Sequence, residues 1–135
     1  MISIGDSAEA SFVVQASDTA GALALTSDDS FPEVFATSRM IALMEVAASR
    51  LMKPMLKEGE LSVGVSLNVS HSAPTAVGAT VKARATYLGP EGKLYKFEVE
   101  VEDEAGTVGA GEHIRAIVTI ERLVAGAERR RSQRT

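Results

Sequence analysis

Residues 37–53 read TSRMIALMEVAASRLMK, and this stretch predicts the one long helix of the chain. At about 100° per residue, one face of the helix is apolar and the opposite face is basic. The apolar face comprises Thr37, Ile41, Met44, Glu45, Ala48 and Met52, and the basic face comprises Arg39, Arg50 and Lys53. A hydroxyl of Thr37 or Ser38 is expected to cap the start of the helix. Pro54, which lacks an amide hydrogen, is expected to end it.

Glu45 is a carboxylate on the face of this helix that should be buried. The positions three and four residues away are Ile41, Ala42, Ala48 and Ser49, so no local ion pair is available. Such a carboxylate reaches water at the edge of the face, finds a partner elsewhere in the fold, or carries a raised pKa. The last two outcomes indicate a functional site.

After the helix, the period of the apolar residues changes from about 3.6 to about 2, which is typical of strands. In the first stretch, the residues of one face are Val63, Val65, Leu67, Val69 and His71. Three more alternating stretches, residues 79–87, 95–101 and 107–122, are separated by turns at 89–92 and 103–106. The last contains Gly109 and Gly111, which indicate a bulge or a close backbone approach. Residues 10–15 predict a strand before the helix, and residues 16–30 a loop or lid.

The helix can bury its apolar face only against the sheet that these strands form. One strand, one helix and four strands is the element order of the hot-dog fold, an α+β fold in which an antiparallel five-stranded sheet wraps around one long helix. We therefore expect one domain over residues 1–124. Residues 125–135 predict a basic, disordered tail, with a nucleic-acid-binding arm as the alternative.

The composition excludes several classes of function. The chain has 135 residues, no cysteine, two histidines and a net charge of −4. Without cysteine there is no disulfide, thiol nucleophile or zinc–cysteine site, and His71 and His113 lack metal-binding spacing, so neither a metal nor another cofactor is expected. The charge predicts neither nucleic acid nor membrane as a partner. No leader or apolar span of about 20 residues is visible, so the expected location is the cytoplasm.

Three polar residues are candidates for catalysis. His71 continues the apolar face of its strand, where it is either a hydrogen-bonded core histidine or an acid–base group that faces the helix. Thr37 either caps the helix or offers its hydroxyl to the site. Thr37 and Glu45 are about 12 Å apart along a helix axis, so they are expected to meet across two protomers. The helix N-terminus would favour a developing oxyanion.

Four further residues have both a structural and a functional interpretation. Gly64 is either a packing gap or a backbone contact with a ligand. Arg115 lies on the strand face opposite Ile114, where a solvated charge is the usual explanation. Phe31 and Phe35 are either core residues or gates of a pocket.

Five features are specific in combination: FPEVFAT at 31–37, LME at 43–45, Gly64, VSH at 69–71 and GAGEHIRA at 109–116. Together they resemble the fluoroacetyl-CoA thioesterase family of hot-dog proteins, and the resemblance covers about residues 5–123. Residues 38–39, 46–47 and the lid at 16–30 depart from the family pattern, and these departures affect the expected acyl preference.

The resemblance implies a function and a role for each candidate. Thr37, Glu45 and His71 would be catalytic. Gly64 would lie near the thioester, Arg115 at the CoA part or the site edge, and Phe31 at a gate beside Phe35. The expected activity is hydrolysis of a short-chain, optionally halogenated, acyl-CoA by a homodimer with the site at the subunit interface; a tetramer stays open. The alternatives are a non-catalytic acyl-CoA binding protein and, with less support, an enoyl-CoA hydratase-like enzyme.

Overall fold

A computed structural model describes residues 2–133 as one antiparallel sheet and two helices. The elements are β1 (Ser7–Val13), α1 (Thr37–Met52), β2 (Glu60–His71), β3 (Thr80–Glu91), β4 (Leu94–Asp103), β5 (Gly106–Thr119) and α2 (Ile120–Ser132). The strands lie in the order β1-β3-β4-β5-β2, so β2 is at one edge of the sheet. The predicted α+β architecture, with five antiparallel strands around one long helix, is confirmed.

Helix α1 packs across the inner face of the sheet and forms the core with it. The buried residues of α1 are Met40, Leu43, Met44, Ala47, Ala48 and Met52. They contact the fully buried residues Val81, Ala83, Ala85, Phe97, Val99 and Val101 of β3 and β4. Ile41 and Glu45, expected on the buried face, lie at its margin and are partly exposed.

Gly109 of β5 allows α1 to approach the sheet closely. A Cβ atom at this position would lie 2.5 Å from Met40 Sδ and 2.6 Å from the Ser70 carbonyl oxygen. Such distances are shorter than van der Waals contact, so a larger residue would push the helix or the neighbouring strand away. The close backbone approach predicted at Gly109 is confirmed.

The alternation of β2 is interrupted by a β-bulge. The pairing of β2 with β5 shifts between Gly64 and Ser66, so Val65 is the additional residue. As a result Gly64 faces α1, whereas the side chain of Val65 is 52% exposed. The expectation that Val63 and Val65 share the inner face with Leu67 was wrong, because the extra residue reverses the faces on one side of the bulge.

The C-terminal residues form helix α2 where the sequence predicted a disordered tail from residue 125. Thr119 is the N-cap, and its hydroxyl accepts a hydrogen bond of 3.4 Å from the Arg122 amide. Glu121 in the first turn and three arginines in the last turn favour the helix dipole. Among the described residues, none of α2 is buried. Arg134 and Thr135 of the predicted tail lie outside the described residues.

Over residues 2–133, no helix is both long enough and apolar enough to cross a membrane.

Candidate active site

Thr37 and His71 are in direct contact at the start of α1. Ala36 is the N-cap of the helix and Thr37 its first residue, so Thr37 does not cap the helix as expected. Its hydroxyl lies 2.8 Å from Nδ1 of His71, the last residue of β2. The other ring nitrogen of His71, Nε2, is buried without a hydrogen-bond partner within residues 2–133. The strand end therefore holds the imidazole against the helix through Nδ1, while Nε2 keeps its hydrogen-bonding capacity unused among the described residues.

A cavity of about 380 Å³ adjoins this pair. Its lining includes Pro32, Val34, Phe35, Thr37 and His71. Phe35 is buried, and its ring meets the imidazole edge to face with centroids 6.2 Å apart. Phe31 is 51% exposed and does not line this cavity. Phe35 is thus a wall of the pocket, and the gating role of Phe31 stays a prediction.

Residues 16–30, the predicted lid, are fastened at their base to the start of α1. Short 3₁₀ turns form at Ala16–Asp18 and Ala20–Leu23. The buried Asp18 carboxylate accepts from Arg39 of α1 at 2.9 and 3.0 Å, and the Asp18 carbonyl accepts from the Ala36 amide at 2.9 Å. These bonds set the position of the lid relative to Thr37.

Glu45 has a partner, and that partner is Arg115. The Glu45 side chain is 39% exposed, and its Oε1 lies 3.4 Å from Nη1 of Arg115. The Arg115 side chain is only 6% exposed. The interpretation of Arg115 as a solvated charge was therefore wrong: Arg115 lies on the inner face of β5, paired with Gly64 and two residues after the buried His113.

Gly64 leaves the space that the Glu45 carboxylate occupies. A Cβ atom at Gly64 would overlap Glu45 Oε1 and lie 3.3 Å from Cε1 of His113. Gly64, Glu45 and Arg115 together line a second cavity of about 570 Å³. The glycine therefore has a role beyond a packing gap, since any side chain there would displace the acid.

His113 is a polar residue of this region that was not among the site candidates from the sequence. It is fully buried on β5, two residues before Arg115, and its Nε2 lies 3.0 Å from Nη1 of Arg115. Burial, and then the adjacent Arg115 charge, lower the pKa of His113 below its ordinary value of 6.5. The spacing of His113 and Arg115 on alternate strand positions was the signal, because it places both side chains on one face.

The described residues thus form two separate polar groups. Thr37 and His71 line one cavity, whereas Glu45, Gly64 and Arg115 line another. Thr37 and Glu45 are eight residues apart on α1, which is about 12 Å along the axis. Within one chain, the predicted catalytic residues therefore lie at two places: Thr37 and His71 at one cavity, and Glu45 at the other.

Comparison with known proteins identifies the family. The sequence profile of a family described as fluoroacetyl-CoA-specific thioesterase matches residues 14–121. A fluoroacetyl-CoA thioesterase of Streptantibioticus cattleyicolor is 41% identical over 93 residues, which are 69% of this chain and 67% of that protein.

Solved structures agree with this match. The fluoroacetyl-CoA thioesterase FlK superposes with a TM-score of 0.90 and 34% identity, covering 100% of this chain and 99% of FlK. A Thermus thermophilus hypothetical protein described as a thioesterase superfamily member has a TM-score of 0.86 and 26% identity, with 98% of this chain and 96% of that chain covered. The chain therefore belongs to the fluoroacetyl-CoA-specific thioesterase family, and it has the hot-dog fold of that family.

Proposed function

We propose that the protein hydrolyses a short-chain acyl-CoA to the free acid and CoA, in a site that two protomers complete. Membership of a thioesterase family supports the reaction class. The observation that supports the site assignment is the hydrogen bond of 2.8 Å between Thr37 and His71, which lies beside a cavity. Glu45, farther along the same helix, lines a second cavity.

Glu45 is the residue that begins the reaction. As a general base, its carboxylate takes a proton from water while the water oxygen attacks the thioester carbonyl carbon. As a nucleophile, the carboxylate attacks that carbon itself, and water then cleaves the resulting anhydride. Arg115 supports either route, because its Nη1 lies 3.4 Å from Oε1 and forms an ion pair with the carboxylate.

His71 and Thr37 act on the other side of the thioester. When the carbon–sulfur bond breaks, the leaving thiolate of CoA takes a proton from Nε2 of His71, and the ring recovers the proton that the reacting water releases. Thr37 holds the imidazole through Nδ1. The first amides of α1 lie at the same end of the helix, where they stabilise the oxyanion that forms on the carbonyl oxygen.

The unpaired edge of the sheet supports assembly of the site from two copies. Strand β2 carries Gly64 in its first half and His71 as its last residue, and it lies at the sheet edge. If two β2 edges pair antiparallel around a two-fold axis, Glu45 of one copy approaches His71 of the other. Tetramer formation and the cytoplasmic location stay predictions.

The acyl group is expected to be small, with fluoroacetyl-CoA as one member of the tested set. The relative from Streptantibioticus cattleyicolor is named for that substrate. In this chain, Pro32 and Phe35 are among the residues that line the cavity beside His71. Because that relative is named for a two-carbon acyl group, we expect longer acyl chains to be poorer substrates than acetyl or fluoroacetyl groups.

Thiol release from a series of acyl-CoA substrates tests the proposal. We expect turnover with acetyl-CoA and fluoroacetyl-CoA, a decrease toward hexanoyl-CoA, and a loss of at least about 100-fold in E45Q, since a general base contributes at least that much. Substrate loss without thiol release would instead indicate hydration of an enoyl group. Binding of acyl-CoA by calorimetry without any turnover would indicate a non-catalytic binding protein.

A further inference from the structure

The guanidinium of Arg115 is held from several sides within the sheet. Its Nε donates to Ser62 Oγ at 3.0 Å, and its Nη2 donates to the Ser62 carbonyl oxygen at 2.8 Å. Its Nη1 carries two hydrogens, one directed to His113 Nε2 at 3.0 Å and one to Glu45 Oε1 at 3.4 Å. His113 and Glu45 therefore share one nitrogen of the arginine.

The two contacts of the His113 ring define its tautomer. A guanidinium only donates hydrogen bonds, so His113 Nε2 must accept from Arg115. A carbonyl oxygen only accepts, so His113 Nδ1 must donate to the Ser66 carbonyl oxygen, 3.0 Å away. The ring is therefore neutral, with its proton on Nδ1. Its lowered pKa, caused first by burial, agrees with this state.

The bulge in β2 brings the Ser66 carbonyl to the ring. Ser66 is the first paired residue after the register shift, and Gly64 is the last one before it. On the Gly64 side of the bulge the missing side chain leaves room for the Glu45 carboxylate and the edge of the His113 ring. A continuous series of contacts therefore runs from the β2 bulge through His113 and Arg115 to Glu45.

We propose that His113 is a positioning residue for the hydrolysis, because its Nε2 holds one hydrogen of Arg115 Nη1 and so directs the other to Glu45. This inference rests on the proposed function, in which Glu45 starts the reaction. Without an acceptor at Nε2, both hydrogens of Nη1 are free to bind the carboxylate. Arg115 then draws Glu45 out of the orientation needed for attack, so kcat falls while the KM for acyl-CoA changes little.

Two amide substitutions separate the roles of the ring nitrogens. In H113N the amide reaches the place of Nδ1, so the contact with Ser66 is kept and the acceptor for Arg115 is lost. In H113Q the amide oxygen reaches the place of Nε2, so the acceptor for Arg115 is kept. Because a hydrogen bond to a charged group is at stake, we expect kcat to fall roughly 10- to 100-fold in H113N and less than about 5-fold in H113Q. KM should stay within about 2-fold of wild type in both.

Equal kcat losses in H113N and H113Q, or no loss in either, would overturn the inference while leaving the proposed function in place, provided that the wild type releases thiol. A wild type that releases no thiol from any acyl-CoA would overturn the proposed function and this inference with it. Thermal unfolding of each variant identifies losses that come from misfolding.

A measurement on the wild type is independent of activity and of variant folding. Long-range ¹H–¹⁵N NMR spectra of the histidine rings distinguish a protonated Nδ1 from a protonated Nε2. The proton of His113 should be on Nδ1 at neutral pH. A proton on Nε2, or on both nitrogens, would overturn the inference, because Arg115 would then have no acceptor there.

Discussion

Arg115 is a buried arginine whose loss should affect the fold as well as the reaction. In R115M, the part-buried Ser62 carbonyl and the buried His113 Nε2 lose their donor. Leaving buried acceptors unpaired should lower the free energy of unfolding by about 1–3 kcal/mol. Urea titration measures the change, with R84M as the control.

Arg84 suits this control because it is a half-exposed arginine on β3 whose ion pair with Glu9 spans 3.9 Å. Exposed pairs of this kind contribute at most about 1 kcal/mol. A decrease in R84M as large as that in R115M would show that the buried contacts of Arg115 do not stabilise the fold.

His113 should make the stability of the protein depend on pH. Burial and Arg115 lower its pKa in the folded state below the ordinary 6.5, whereas the unfolded chain binds the proton near 6.5. His113 therefore makes its full contribution to the free energy of unfolding above pH 6.5. That contribution is lost as the pH falls through the pKa of His113 in the folded state. Between about pH 7.5 and about pH 5.5, the urea midpoint of the wild type should decrease, and that of H113Q should decrease less. An identical pH dependence in both proteins would contradict this assignment.

At the residue scale, the sequence identifies the catalytic candidates better than it identifies the residues that contact them. Glu45 and His71 were detectable because each is a polar residue within an otherwise apolar periodic pattern. The inward orientation of Arg115 was not, since β5 also carries apolar residues such as Ile114 on its other face. Alternation alone cannot tell the inner face from the outer one when both contain apolar side chains.

At the scale of the elements, Gly64 and Gly111 are two strand glycines with different surroundings. A Cβ at Gly64 would overlap the end of a flexible side chain, Glu45, whereas a Cβ at Gly111 would overlap the backbone carbonyl of Asn68. The side chain can move and the paired strand cannot. We therefore expect G64A to reduce kcat at least about 10-fold with a loss of stability below about 1 kcal/mol, and G111A to lose more than about 2 kcal/mol.

Thiol-release kinetics and urea unfolding of the two variants check this contrast. If G64A destabilised the fold as much as G111A, Gly64 would be a packing requirement. If G64A kept full activity, Glu45 would not need the position that it occupies in the structure.

The bulge in β2 and helix α2 are two features that the sequence pattern did not predict. Val63 and Val65 fit a regular strand equally well, and only the pairing with β5 makes Val65 the additional residue. In residues 120–132, the arginines that suggested a disordered tail instead occupy the last turn of a helix. Local composition could not distinguish a helix from a disordered tail, because the N-cap at Thr119 depends on where β5 ends.

For the whole molecule, mixing two inactive variants tests whether each site draws on two protomers. E45Q retains His71, and H71N retains Glu45, so a mixed dimer has one complete site and one site that lacks both groups. If protomers exchange at random, a one-to-one mixture should recover roughly a quarter of the wild-type activity per chain.

Thiol release before and after mixing, with each variant alone as the control, measures this recovery. A mixture that stays as inactive as its components, although mass spectrometry detects mixed dimers, would place Glu45 and His71 of one chain in the same site.

The overall architecture could be predicted because it follows from a few local patterns. One apolar-faced helix, 37–53, precedes four alternating stretches joined by short turns, and such a helix can be buried only against the sheet that they form. The separation of Thr37 from Glu45 along α1 could be predicted from their spacing alone. The partner of Glu45 could not, because 70 residues separate it from Arg115 in the chain.

The open edge at β2 also bears on how the protein behaves when it is scarce. Each chain keeps its own core of α1 against β3 and β4, so separated protomers can stay folded. If the reaction needs two copies, activity per chain should decline on dilution while the far-ultraviolet circular dichroism does not change. At low concentration, the protein would then lose its activity while each chain stays folded.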